Sequence, residues 1–153
     1  MERQIYLAGP ISGLTYEQAA LGWRQEIISM LPDHWRCFSP MRGKAFLDGK
    51  GPLQGAYTDS PLASIQGILG RDRNDVRECD LMIACFLEAD GNMSLGTAME
   101  FGWADVWRKP VIMIADENDP HRQHPMLAGA SVYLTDSLSK GAELAKVLLQ
   151  PGV

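Results

Sequence analysis

No stretch of this chain approaches the ~20 consecutive apolar residues that a membrane span needs. The opening residues, MERQIYLAGP, show neither a long apolar segment nor a small-residue cleavage pattern. A cytoplasmic protein with no membrane association is expected. Basic runs are missing too. The 14 lysines and arginines are scattered among 19 acidic residues, for a net charge of −5. The chain therefore lacks the positive surface by which proteins hold nucleic acid. Histidine is scarce, at three residues, so a multi-histidine metal site is not expected. The three cysteines, Cys37, Cys79 and Cys85, are odd in number, lie on apolar segments and lack metal-ligand spacing. None has the helix-start setting or neighbouring histidine of a nucleophile. They read as reduced core thiols.

What is present is one domain's worth of chain, 153 residues, with an ordinary globular balance of 46% apolar and 22% charged residues. Short apolar runs at 5–9, 35–40, 80–87, 110–116 and 131–135 read as strands. The run DLMIACFL, apolar after Asp80, suits a central parallel strand covered on both faces. Helical patterns cover 16–31, 61–79, 95–108 and 137–149. Thr15 and Gln18 have the spacing of a capping box before the first of these. Residues 41–60, rich in glycine and polar groups, and residues 117–125 read as loops. Strands alternating with helices predict a single α/β domain, a flavodoxin-like (Rossmann-like) doubly wound parallel sheet of five strands. In such sheets a ligand sits beyond the carboxyl ends of the strands. That rule gathers Gly9 and Pro10, the 39–60 loop, the 88–96 loop with the helix after it, and the 116–125 loop.

One acid stands out there. Glu100 sits in MSLGTAMEFGWA, a helix with few polar positions to define a wet face. It is either a solvated helix acid with a mild dipole benefit or a partly buried carboxylate with a raised pKa. Asp72 lies in GRDRNDVRECD, where alternating charges also fit a plain exposed helix face, and Asp75 competes with it. Asp80, at a strand start, reads as structural. YLAGPISG lacks both GxGxxG and a P-loop lysine, so it is weak as a nucleotide motif, though its small residues let a ligand approach the backbone. Tyr6 is either a core aromatic or a hydroxyl at the site. His121 and His124 read as surface loop residues.

Together, IYLAGP, the block DRNDVRECDLMIACF from Asp72 and the block SLGTAMEFGWA from Ser94 resemble the nucleoside 2-deoxyribosyltransferase family. The likeness spans nearly the whole chain. It implies that Glu100 is the nucleophile on the anomeric carbon of a deoxynucleoside, with Asp72 and Tyr6 as its catalytic partners. It also implies a substrate site using Gly9, Pro10, Ser94, Gly96 and Met99, no metal, no cofactor, and a homo-oligomer with sites near subunit interfaces. The partners it implies are a nucleoside or nucleotide and a free nucleobase. Two departures stand out. Transferases of the family usually carry an aspartate six residues before the nucleophile, where this chain has Ser94. A serine there resembles the related N-hydrolases of deoxynucleoside 5′-monophosphates, whose hydroxyl helps hold the phosphate. Where some transferases place an asparagine that completes the neighbouring subunit's site, this chain has His124.

Overall fold

The computed structural model describes residues 1–152. Five parallel strands, β1 (Gln4–Ala8), β2 (Arg36–Phe38), β3 (Leu81–Cys85), β4 (Val111–Ile114) and β5 (Tyr133–Thr135), form one sheet in the order β2-β1-β3-β4-β5. The helices are α1 (Gly22–Met30), α2 (Ile65–Glu78), α3 (Leu95–Val106), α4 (Pro120–Gln123), α5 (Pro125–Ala130) and α6 (Leu138–Leu149). This is the flavodoxin-like strand order, with its switch point between β1 and β3.

Strand side chains alternate between two buried layers, as the pleat requires. Ile5, Leu7, Leu81, Ile83, Ile112 and Ile114 face α1 and α6, meeting Trp23, Ile27, Ala142 and Ala145. Tyr6, Ala8, Met82, Ala84 and Met113 face the other way, onto Val76 of α2, Phe101 and Ala104 of α3 and Leu127 of α5. That alternation sends Tyr6, alone among the β1 side chains in bearing a hydroxyl, towards α2 and α3. Serines cap three helices. Ser64 accepts from Gly67 N–H at 3.0 Å, Ser94 from Thr97 N–H at 3.4 Å and Ser137 from Lys140 N–H at 3.2 Å.

Three expectations change in detail. The first helix is preceded by a turn of π-helix, Glu17–Leu21, although Thr15 and Gln18 do exchange both capping-box hydrogen bonds. The second helix begins at Ile65, after a separate 3₁₀ turn at Pro61–Ala63. The 117–125 segment is not plain loop: Asp119 caps α4, and Pro120 and Pro125 open α4 and α5 at the position where a missing N–H costs nothing.

The end of β1 is held tightly. A Cβ on Gly9 would lie 2.6 Å from the Cys85 carbonyl oxygen and 3.1 Å from the Trp23 ring, so only glycine fits between β1 and β3. Beneath it the Arg24 guanidinium, 1% exposed, donates to the carbonyls of Leu7 (3.2 Å), Gly9 (3.3 Å) and Ala19. Burial lowers its pKa to about 10, which still leaves it a cation at neutral pH.

Candidate active site

A cavity of about 570 Å³ opens beyond the carboxyl ends of β1 and β3, within the usual range for small-molecule sites. Its walls come from the loop after β1, the 40–57 segment, α2, and the 90–96 loop with the first turns of α3. Ile65, Ile68 and Leu69 of α2 line this cavity, while Val76 of the same helix fills the core.

Glu100 is buried in the cavity wall, 8% exposed. Tyr6, fully buried behind it, donates its hydroxyl to Glu100 Oε2. Among the described residues Oε1 has no hydrogen-bond partner. Burial pushes the Glu100 carboxyl up to about 8; the Tyr6 hydrogen bond pulls it down and nearby Asp72 adds to the rise. Burial, and then the Glu100 charge, hold the Tyr6 phenol well above its ordinary range. Tyr6 therefore remains a donor. It does not line the cavity and meets it only through its hydrogen bond to Glu100.

Asp72 and Asp75 lie three apart on α2 and are both buried, yet they have different surroundings. Asp75 is held by Arg42 in a two-pronged ion pair at 2.6 and 3.0 Å. Asp72 lines the cavity, its Oδ1 3.8 Å from Arg71 Nε and without a hydrogen-bond partner. Burial pushes Asp72 up to about 6, against the pull of Lys44 and then Arg71. Lys44 itself is 4% exposed and lines the same wall. It escaped notice in the sequence because it lies in a loop with no periodicity.

Gly9, Pro10, Ser94, Gly96 and Met99 also line the cavity. Gly9 is a glycine for packing, as shown above. Gly96 faces open space: nothing would lie within 4 Å of a Cβ there. Ser94 is committed twice, its hydroxyl to Thr97 and its N–H to His121 Nε2 at 2.8 Å. Because Nε2 accepts, the His121 proton sits on Nδ1, which donates to Asp119 Oδ1 at 2.7 Å. His121 is fully buried and stacks on Phe86 at 3.8 Å, so its reading as a surface residue is corrected. A sequence signal existed in the Asp-Pro-His spacing, which lets Asp119 cap α4 and hold the imidazole at once. His124 lies exposed at the start of α5, outside the cavity.

Cys79 and Cys85 are buried and Cys37 half-buried. Burial raises their pKa values to about 12, 12 and 11, which leaves them inert thiols. Among the described residues no group of three His, Cys, Asp or Glu side chains could hold a metal ion, and no helix is long and apolar enough to cross a membrane.

A family model described as nucleoside 2-deoxyribosyltransferase matches residues 5–144. The chain belongs to that family. No curated protein matches it significantly. A conserved protein of Enterococcus faecalis V583 has the same fold, with a TM-score of 0.70 and 19% identity over 97% of this chain and 100% of that one. The CMP N-glycosidase BcmB of Clostridium botulinum gives 0.56 and 18%, over 96% and 100%. A molybdenum cofactor binding protein of the phototrophic bacterium Rippkaea orientalis gives 0.59 and 20%, over 98% and 99%. These likenesses show the fold. Nucleoside 2-deoxyribosyltransferase-family proteins act on nucleosides or nucleotides, and the family includes glycosyl-transferring and N-glycosidase enzymes.

Proposed function

We propose that this chain cleaves the N-glycosidic bond of 2′-deoxynucleosides and passes the deoxyribosyl group to a second nucleobase through an ester on Glu100. The observation that carries this reading is the Glu100 carboxyl in the cavity wall, one oxygen on Tyr6 and the other free. As the C1′–N bond breaks, its electron pair goes to the base and positive charge grows on the sugar. The free Glu100 oxygen stabilises that charge and bonds to C1′. The base takes a proton from Asp72. A nitrogen of the incoming base then displaces Glu100 from C1′ and returns a proton to Asp72. Tyr6 stabilises the carboxylate each time it forms. The missing 2′-hydroxyl favours the reaction, because that electron-withdrawing group slows cation formation.

A second reading, hydrolysis of nucleoside 5′-monophosphates, draws on Ser94 standing where transferases carry an aspartate. Ser94 opens α3, and open space at Gly96 adjoins the free amides of that helix start. A CMP N-glycosidase shares the fold. The deciding assay incubates the protein with deoxyinosine plus adenine, and in parallel with deoxynucleoside 5′-monophosphates. New deoxyadenosine supports base exchange. Free base from monophosphates alone supports hydrolysis. No product from any of them sinks both and leaves a binding module.

Ser94→Asp separates the two readings by affinity. Aspartate is as good a helix cap as serine, so the fold should hold. It would repel a 5′-phosphate yet accept from a 5′-hydroxyl. Two like charges ~4 Å apart cost roughly 4 kcal/mol at an effective dielectric of ~20. Titration should show monophosphate binding weakened at least ~10-fold, with nucleoside binding little changed. If both ligands respond alike, Ser94 is a cap only.

The same reading includes a homo-oligomer. Leu95 and Val106 of α3 and Met126 of α5 are 76%, 74% and 77% exposed, and Leu95 and the half-exposed Met99 border the cavity. A second copy covering this face would dry the cavity mouth and bring His124 towards a neighbour's site. Sedimentation as a monomer at assay concentration would rule this out.

A further inference from the structure

The wall of the cavity formed by the 40–44 turn and α2 carries an unbalanced charge. Three cations, Arg42, Lys44 and Arg71, meet two carboxylates, Asp72 and Asp75. Asp75 is taken by Arg42. Arg71 spends its terminal nitrogens on the carbonyls of Pro40 at 2.6 Å and Arg42 at 3.0 Å. These contacts fasten the turn to α2, and Gly43, at φ 76°, lets it bend so that Lys44 N–H reaches the Met41 carbonyl at 3.1 Å. Lys44 is thus fixed through its backbone and buried through its side chain. Among the described residues its ammonium has neither a hydrogen bond nor an ion pair. Beside it, Asp72 Oδ1 is also without a hydrogen bond. Lys44 lines the cavity, so a ligand there can supply the acceptor that the protein does not.

We infer that Lys44 is a catalytic residue at the leaving-base end of the cavity, where its ammonium contacts an acceptor on the nucleobase and stabilises the negative charge that builds there as the glycosidic bond breaks. This rests on the proposed glycosidic cleavage. The assignment to the base, not to a 5′-phosphate, follows from position. Lys44 adjoins Asp72 on the α2 side, whereas the helix start suited to a phosphate is Ser94–Gly96. Those residues lie six and four positions before Glu100, or ~9 and ~6 Å along α3. A charge aimed at where charge develops acts mainly on the transition state. Burial lowers the Lys44 pKa and the neighbouring Asp72 charge raises it, so the two residues support each other's ionised forms.

The test uses deoxynucleosides of graded leaving ability: 2′-deoxyuridine with its 5-fluoro and 5-methyl analogues, and deoxyinosine with deoxyadenosine. With Lys44→Met, kcat/KM should fall ~100-fold for the poorest leaving bases and clearly less for 5-fluorouracil, steepening the dependence on leaving ability. Lys44→Arg, which keeps the charge, should restore much of the rate. A thermal melt and an unchanged circular dichroism spectrum establish that each variant is folded. If Lys44→Met slows every base equally, or leaves nucleosides unchanged, the inference is overturned. If it harms only 5′-monophosphates, Lys44 is a phosphate contact and the inference is again overturned. A wild type inactive on every nucleoside and monophosphate is a different failure, that of the proposed function itself.

Discussion

Glu100→Gln should lose at least ~10⁴-fold in kcat and, at pH 8, melt at a higher temperature than the wild type. Both effects come from the same burial. The amide oxygen of glutamine can still accept from Tyr6, so the local geometry is kept while the attacking charge is removed. The stability gain follows from the raised pKa. In the unfolded chain the carboxyl titrates near its ordinary 4.5, and in the fold near about 8. Between those values the folded state holds a proton that the unfolded state has released, so stability is greatest below about 4.5 and falls as the pH rises towards 8. The loss is on the order of a few kcal/mol, and glutamine does not incur it. Activity and melting temperature should therefore move in opposite directions, the mark of a residue kept for function at the expense of stability. Near-normal turnover by Glu100→Gln would end the proposed mechanism. A deoxyribosyl adduct on the peptide holding Glu100, seen by mass spectrometry after rapid quenching, would support it directly.

Asp72→Asn should change the shape of the pH profile as well as its height. The proposed reaction needs Glu100 ionised and Asp72 protonated, yet burial sets them at about 8 and about 6. The reactive form is thus the minor arrangement of a pair that shares one proton. For the wild type, kcat/KM should rise through about 6 as the first proton leaves the pair and fall through about 8 as the last one does. With asparagine no shared proton remains to be lost. The rate, lower by ~100-fold and lowest for poor leaving bases, should climb to a plateau at alkaline pH. The climb should be centred below about 8, because Asp72 no longer raises the Glu100 pKa, yet lie above the wild-type rise through about 6. An alkaline fall that survives in Asp72→Asn would mean that another group supplies the proton. A larger loss in Asp75→Asn would transfer the role to Asp75, although that carboxylate is bound to Arg42.

The sheet was legible because three of its strands, β1, β3 and β4, are nearly pure apolar runs, which have few other ways to be buried. The parallel, doubly wound arrangement was legible because a helical pattern lies between most of them. Contacts made across the chain were not. Asp72 and Asp75 share a helix and a charge, and nothing local tells them apart; the deciding partner, Arg42, comes from a loop some thirty residues earlier. Lys44 had no pattern to mark it, since its burial depends on Arg71 holding the turn onto α2. Arg24 had no local signal either, since the carbonyls that take its protons are those of Leu7, Gly9 and Ala19. His121 looked like loop because the helices around it are four and six residues long, too short for a period to show.

The strand order has a consequence for how such a protein can change. β1, which carries Tyr6, lies between β2 and β3. The chain leaving β2 brings Lys44 to the cavity, and the chain leaving β3 brings Ser94. In the proposed binding mode the two ends of the ligand are thus met by separate stretches of polypeptide that share no hydrogen bond among the described residues. Preference for a base and preference for the group at the 5′ position can drift independently. A lineage can exchange one loop for another length or composition while the carboxyl on α3, held from behind by the first strand, stays as it is.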